Sequence, residues 1–334
     1  MAVTIREIAM RAGVSPGAVS AVINGAQNSI RVGEKTRDKI KDIAERLQYR
    51  PNLMARGLRQ CKTNLIGVVA PRIDWGFWPQ ILQGIESVLE NAQYNLIFCS
   101  TEEDHESERR NLTLLRDRGV DGIIAVPTWQ SSNLGLYSEL SRTSLPIVCV
   151  ARQIVGLQVP FICVDPYKMG VLGGEHLAGL GHRRIAFIGK THEQVYKGFR
   201  KAISDAGIEV DENLIVREGE TPEEAYCIAK KLLVRDNRPT AVFTTKEIVA
   251  IGTIKAVKDT GLRVPEDISV LSSDDTEISK LLEVPLSCIG QPKEEQGKEA
   301  ARILLEMIDG NEGRSEMLEP YLVERRSTKK NEVR

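Results

Sequence analysis

The first fifty residues space their apolar side chains three or four apart, which predicts short amphipathic helices and no strand. In TIREIAMRAG, Ile5, Ile8, Ala9 and Ala12 share one face, Thr4 with Glu7 reads as a capping box, and Gly13 can end the helix. Ser15 can cap a second helix with Pro16 at its first position, where the missing N–H costs nothing, and Val19, Val22 and Ile23 form its buried face. A third helix is expected from about Lys35 to Gln48, carried by Ile40, Ile43, Ala44 and Leu47 and ended by Pro51. Two short helices joined by Gly13-Val14-Ser15, with small Ala9 and Ala12 allowing close crossing, make the helix-turn-helix pattern.

The segment NLMARGLRQ, residues 52–60, is shorter than the roughly 12 residues an isolated helix needs and contains Gly57; it is expected to be a hinge that folds against a partner. From Asn64 the texture changes. Apolar runs (LIGVVA from Leu65, NLIFC from Asn95, GIIAV from Gly122, PIVCV from Pro146, RIAFI from Arg184, TAVFT from Thr240, ISVLS from Ile268) alternate with helical stretches, as in parallel sheets covered on both faces. The expected organisation is an all-α head (1–50), a hinge and linker (51–63) and an α/β body (64–330) of two doubly wound lobes. One lobe takes about 64–160 and 291–320, the other about 161–290 and 321–330. In such folds ligands sit outside the carboxyl ends of the strands.

The net charge of −1 conceals an asymmetry: residues 1–63 hold 12 Lys and Arg against 5 acids, so the head carries +7 and the remainder −8. A basic head on an acidic body fits a polyanion-binding module. The six cysteines are scattered without a CxxC pair, so neither disulfides nor a zinc site is indicated, and no cofactor is expected. No apolar run approaches the roughly 18–20 residues that cross a bilayer and the start lacks a signal-peptide core, so a cytoplasmic protein without membrane contact is expected.

Enzyme motifs are missing: there is no GxGxxG, P-loop or GxSxG. His176 and His182 lie six apart, which on one helix points them about 240° apart, so His182 reads as a hydrogen-bonding residue of its turn. The carboxylates Glu102-Glu103-Asp104 and Asp274-Asp275 read as solvated strand ends.

These residues together resemble the LacI/GalR family of bacterial transcriptional regulators, through TIREIAMRAGVS, AVSAVING, KTRDKIKDIAERLQYRPNLMARGL, TNLIGVVAP, GVDGII, LGHRRIAFIG and GLRVPEDISVLSSDD in that order. The resemblance implies a homodimer on palindromic double-stranded operator DNA, usually a repressor, with a periplasmic-binding-protein-like body that takes a small effector in its cleft. The second helix would read the major groove; hinge residues Asn52, Ala55 and Leu58 would enter the minor groove, with Leu58 as the wedge.

Where relatives carry larger side chains this chain has Pro16, Gly17 and Ala21. DNA contacts are therefore expected from Thr4, Ser15, Ser20 and Asn24, from Pro16 or Ala18 against thymine methyls, from close approach at Gly17, and from Arg31 in the longer loop. Asp74, Phe77, Trp78, Arg152, Lys246 and Asp275 match cleft positions. Ala151 replaces a usual acid, Val195 an arginine, and Lys246-Glu247 an Asn-Asp pair. The effector class stays open between sugar, nucleobase and small acid, and Phe77, Trp78 and Trp129 have packing as their alternative role. The competing readings are a solute-binding protein and a regulator that needs no effector.

Overall fold

The computed structural model describes residues 3–24, 32–49, 62–71, 76–128, 133–143, 145–190 and 193–331. It divides into two compact units, Met1–Asn64 and Leu65–Arg334.

The first unit holds α1 (Ile5–Ala12), α2 (Pro16–Asn24) and α3 (Glu34–Arg46) around a small core of Ile8, Ala9, Ala12, Val19, Val22 and Ile40. Thr4 caps α1 as expected, its Oγ1 accepting from Glu7 N at 3.3 Å, but only half of the capping box forms: the Glu7 carboxylate pairs with Arg11 at 2.8 Å. Gly13 ends α1 in the left-handed conformation (φ 69°), which lets the chain turn within two residues into α2. Helix α3 stops short of Pro51. Leu47 is its C-cap, Gln48 takes a left-handed φ of 50°, and Tyr49 N returns to Ala44 O at 2.8 Å, so a local turn ends the helix first.

The second unit has two six-stranded sheets. The seven expected strands all form: β1 (Leu65–Ala70), β2 (Asn95–Ser100), β3 (Gly122–Ala125), β4 (Ile147–Val150), β6 (Ile185–Ile188), β8 (Ala241–Thr244) and β9 (Ser269–Ser272). Five more join them: β5 (Phe161–Val164), β7 (Ile215–Val216), β10 (Ser287–Gly290), β11 (Glu316–Leu318) and β12 (Tyr321–Val323). The orders are β11-β5-β4-β3-β1-β2, all parallel, and β12-β10-β9-β8-β6-β7, parallel except for antiparallel β12. β5 extends the first sheet, so the chain leaves that lobe after Val164 and not at the expected 160/161.

In the first lobe α4 (Trp78–Asn91) and α12 (Lys293–Ile308) cover one face of the sheet, while α5 (His105–Asp117) and α6 (Leu134–Arg142) cover the other. The second is clad by α7 (Pro166–Gly179) and α8 (Glu193–Asp205) on one side and by α9 (Pro222–Leu233) and α10 (Glu247–Asp259) on the other, with short α11 (Glu277–Leu281) beyond β9. Helix starts follow local chemistry. Asp165 caps α7 ahead of Pro166, and Thr221 with Glu224 forms a complete capping box ahead of Pro222 on α9. α4 and α12 cross almost backbone to backbone: a Cβ on Gly84 would lie 2.1 Å from Glu294 O, and one on Gly297 2.0 Å from Ile81 O. The chain passes between lobes after β5, after β10 and again between β11 and β12.

The chain's last described stretch is stitched to the second sheet through polar side chains. Ser327 Oγ accepts from Ser287 N at 2.7 Å, and Lys329 N donates to Ser269 Oγ at 3.1 Å. His182 sits beneath it, buried, with Nδ1 2.9 Å from Thr240 Oγ1 and Nε2 3.1 Å from both Lys329 O and Ser269 Oγ. A carbonyl can only accept, so Nε2 carries the proton of a neutral ring. Burial pushes this histidine down to about 4. Below its unfolded value of about 6.5 the unfolded chain takes up a proton that the folded ring refuses, so folded stability falls as pH drops from about 6.5 to about 4. Urea unfolding at pH 7 and pH 5 should show wild type losing on the order of 1–2 kcal/mol more than His182→Gln; equal losses would exclude this histidine as the acid-sensitive group.

Candidate functional site

The head presents the amino-terminal tip of α2. Ser15 caps the helix, accepting from Ala18 N at 3.2 Å, and Ser15, Pro16 and Gly17 are exposed with no long side chain among them. Ser20 and Ala21 are half-buried, and Asn24 is the last residue of α2. Ala18 departs from expectation: it is only 8% exposed, because Ala18 and Val19 both turn inward, so its methyl offers little surface to a thymine. Thr4 is exposed at the start of α1, and the cap bond occupies one lone pair of its hydroxyl. Arg31, Asn52, Ala55 and Leu58, expected at DNA, lie outside the described residues, as do Asp74 and Trp129 of the cleft.

In the body, Glu103, Arg152, Lys246 and Asp274 follow the carboxyl ends of β2, β4, β8 and β9. Phe77 is half-buried just before α4, while Trp78 is 3% exposed and packs with Ile81, Ile85 and Val126. Trp78 is thus a core residue, with Phe77 set edge-on against it at 4.8 Å between ring centroids. The packing role wins for Trp78 because the first turn of α4 faces the sheet.

Arg152, after β4, is held by the chain itself. Its Nη2 reaches Glu103 Oε1 at 2.7 Å, and its Nη1 reaches Glu103 Oε2 at 3.0 Å and Pro127 O at 2.8 Å. Asp275 is likewise taken, by a bidentate bond to Arg325 at 2.7 and 2.8 Å, which ties the chain after β9 to the segment after β12. The residue expected to be a ligand-binding acid thus has an internal cation as its partner. Neighbouring Asp274 is buried and pairs with Lys293 at 2.8 Å. The expectation of solvated strand-end carboxylates therefore fails for Glu103, Asp274 and Asp275, because each meets a cation from a distant part of the chain.

Lys293 was not singled out from the sequence, although it opens α12 at a strand end. It is 2% exposed, donates to Asp275 O, and holds its ammonium 4.8 Å from the centre of the Phe77 ring. That is a cation–π contact in a desolvated place. Glu247, the first residue of α10, is buried nearby; a Cβ on Gly76 would lie 3.8 Å from its Oε1 and 3.3 Å from Thr276 Cγ2. This cluster joins the start of α4 in one lobe to the ends of β8 and β9 in the other. Lys246 faces Glu220 at 3.9 Å, and Lys190 reaches the same carboxylate at 3.7 Å.

A third buried carboxylate, Glu108 on α5, accepts from Thr128 N and Oγ1 (both 3.0 Å), Asn133 Nδ2 (2.7 Å) and Tyr137 OH (2.9 Å). Four donors satisfy it and tie α5 to α6 and the end of β3. Periodicity hid this residue, since Glu108 occupies an inward position of an otherwise amphipathic helix.

A basic helix-turn-helix head joined to a two-lobed body of the solute-binding kind defines a DNA-binding regulator. The profile described as bacterial regulatory proteins of the lacI family matches residues 4–52, and that of the periplasmic binding protein-like domain matches residues 175–328. The chain is 33% identical to the HTH-type transcriptional regulator DegA of Bacillus subtilis (strain 168), over 98% of both chains. It is 34% identical to the ribose operon repressor of Haemophilus influenzae, over 97% of this chain and 98% of that one. The crystal structure of the lac repressor dimer bound to operator and the anti-inducer ONPF superposes with a TM-score of 0.86 at 27% identity, covering 98% of this chain and 100% of that one. The chain belongs to the lacI family of bacterial transcriptional regulators. Among the described residues no helix is long and apolar enough to cross a membrane.

Burial, with Asp274 beside it, pushes Glu247 up to about 7. The folded protein then holds a proton that the unfolded chain releases, so this residue favours the folded state less and less as pH rises from about 4.5 to about 7. Glu247→Gln, which keeps the shape and removes the charge, should be more stable than wild type at pH 8, by on the order of 1–3 kcal/mol, and little different at pH 4.5. A variant less stable at both values would contradict the buried, proton-holding carboxyl.

Proposed function

We propose that this protein is a cytoplasmic repressor that binds a palindromic operator as a homodimer, with a small effector in the inter-lobe cleft setting its affinity, and that it catalyses no reaction. The observation that carries the reading is the exposed tip of α2 in a basic head, within a chain that matches operator-binding regulators from end to end.

The α2 tip lies in the major groove, where Ser15, Ser20 and Asn24 reach base edges, Pro16 meets thymine methyls and Gly17 lets the backbone come close. Thr4 and Arg31 add phosphate contacts, while Asn52, Ala55 and Leu58 form the minor-groove hinge, with Leu58 wedged between central base pairs. In the cleft, Phe77, Asp74, Lys246 and the Glu103–Arg152 pair face the effector. An effector acts only by binding the DNA-competent and incompetent dimers unequally, and operator must then alter effector affinity by the same factor. The internal pairing of Arg152 and Asp275 favours a second reading, a regulator that acts without a small effector.

Fluorescence anisotropy with duplex from upstream of the protein's own gene, run over a salt series, tests the DNA reading. Specific sites should bind at least a thousandfold tighter than scrambled duplex, with log K falling linearly against log salt for both. Leu58→Ala should keep the dimer, weaken operator binding by tenfold or more and reduce DNA bending. Unchanged affinity and bending would remove the wedge, and equal affinity for scrambled duplex would remove the specific repressor.

A further inference from the structure

We infer that Glu103 is the specificity-determining residue of the cleft: it fills the anion seat of Arg152 as an internal ligand, so that small carboxylates and phosphates are refused and an uncharged effector is selected. This rests on the reading of the β2 and β4 ends as the effector wall, and it narrows the effector class that reading leaves open.

The first support is geometric. Glu103 meets Arg152 fork to fork, at 2.7 and 3.0 Å, which is the in-plane arrangement a free carboxylate adopts on a guanidinium. The bond from Nη1 to Pro127 O at 2.8 Å fixes the plane of the guanidinium. Both side chains keep some contact with solvent, 14% for Arg152 and 23% for Glu103, so the pair forms part of the cleft surface.

The second support is the backbone. Thr101 to Asp104 form a turn closed by Asp104 N to Thr101 O at 2.8 Å, with Glu102 and Glu103 at φ 54° and 59°. Two positive φ values at the turn's centre are the mark of type I′, which sequences ordinarily fill with Asn-Gly. Ala151, directly before Arg152, is also left-handed at φ 62°. Three residues with side chains thus take unfavourable conformations at the two strand ends where the pair meets. Strain of this kind collects at ligand clamps.

The third is chemical. Ala151 offers no carboxylate beside Arg152, and Glu103 supplies one from another strand, leaving the pair without net charge. A tethered carboxylate acts at an effective concentration in the millimolar range or above, so a free acid at lower concentration does not displace it.

The test uses the full-length protein, with Glu103→Gln, Glu103→Ala and the double variant Glu103→Gln/Arg152→Gln, each checked for fold by circular dichroism. Malonate, citrate and inorganic phosphate are titrated by calorimetry and thermal shift at constant ionic strength, with chloride as control. Wild type should show no response beyond chloride. Glu103→Gln and Glu103→Ala should bind malonate at least tenfold tighter than wild type, and the double variant should lose the gain. Malonate binding by wild type equal to that of Glu103→Gln, a folded single variant with no gain, or a gain that survives in the double variant would each overturn the inference. Operator affinity measured with malonate bound to Glu103→Gln separates the two readings: binding that leaves it unchanged would overturn the assignment of this wall to the effector.

Discussion

A charge taken out of water must find its opposite, and the two lobes meet around one such requirement. Lys293 stands where the chain crosses back to the first lobe, with its ammonium between Asp274, the carbonyl of Asp275 and the face of Phe77. Removing the Asp274 carboxylate leaves the ammonium buried without its counter-charge, a desolvation cost of several kcal/mol. Asp274 belongs to the second lobe and Phe77 to the first, so satisfying one lysine fixes how the ends of β9 and the start of α4 lie. Glu247 adds a second acid to the same enclosure, where burial first, and then the neighbouring charge of Asp274, lifts its proton affinity.

The same economy runs through the rest of the cleft wall. Arg152 is matched by Glu103, Asp275 by Arg325 and Lys246 by Glu220, so the residue types usual for ligand contact are present but largely turned on one another. The head follows a different rule. Helix α2 has short, exposed residues at its tip, Ser15, Pro16 and Gly17, within a module whose positive charge favours a polyanion.

The layout of the fold was legible because parallel strands buried on both faces must be long apolar runs, and each run from LIGVVA to ISVLS became a strand. Of the strands that escaped, β7, β11 and β12 are short edge strands, while β5 and β10 match the expected strands in length. EML and YLV are three residues each, too short for a period to mark them, and SCIG of β10 is broken by Ser287 and Gly290. The tip of α2 was legible from Ser15 and Pro16, since capping is local chemistry. The inward turn of Ala18 was not, because it depends on how α2 packs. The ion pairs of the cleft were invisible for the same reason: Glu103 and Arg152 lie 49 residues apart and Asp275 and Arg325 50, and no sequence period records such a meeting. Strand ends could be named from the runs, but the partner waiting at each could not.

The interleaved path of the chain also sets the order in which the protein can become itself. The face of the first sheet formed by Ile66, Val68 and Ile124, with Ile81 and Ile85 of α4, is covered by Ala300, Ala301 and Leu304 of α12, and its last strand is β11 at residues 316–318. During synthesis at about 5–20 residues per second, some two hundred residues separate α4 from α12, so that apolar face waits on the order of ten to forty seconds for its cover. Neither lobe is a contiguous segment that could be made, finished and set aside. The nascent chain must carry an incomplete core through nearly the whole of its own translation, and holding such a surface against premature association is the task that chaperones meet.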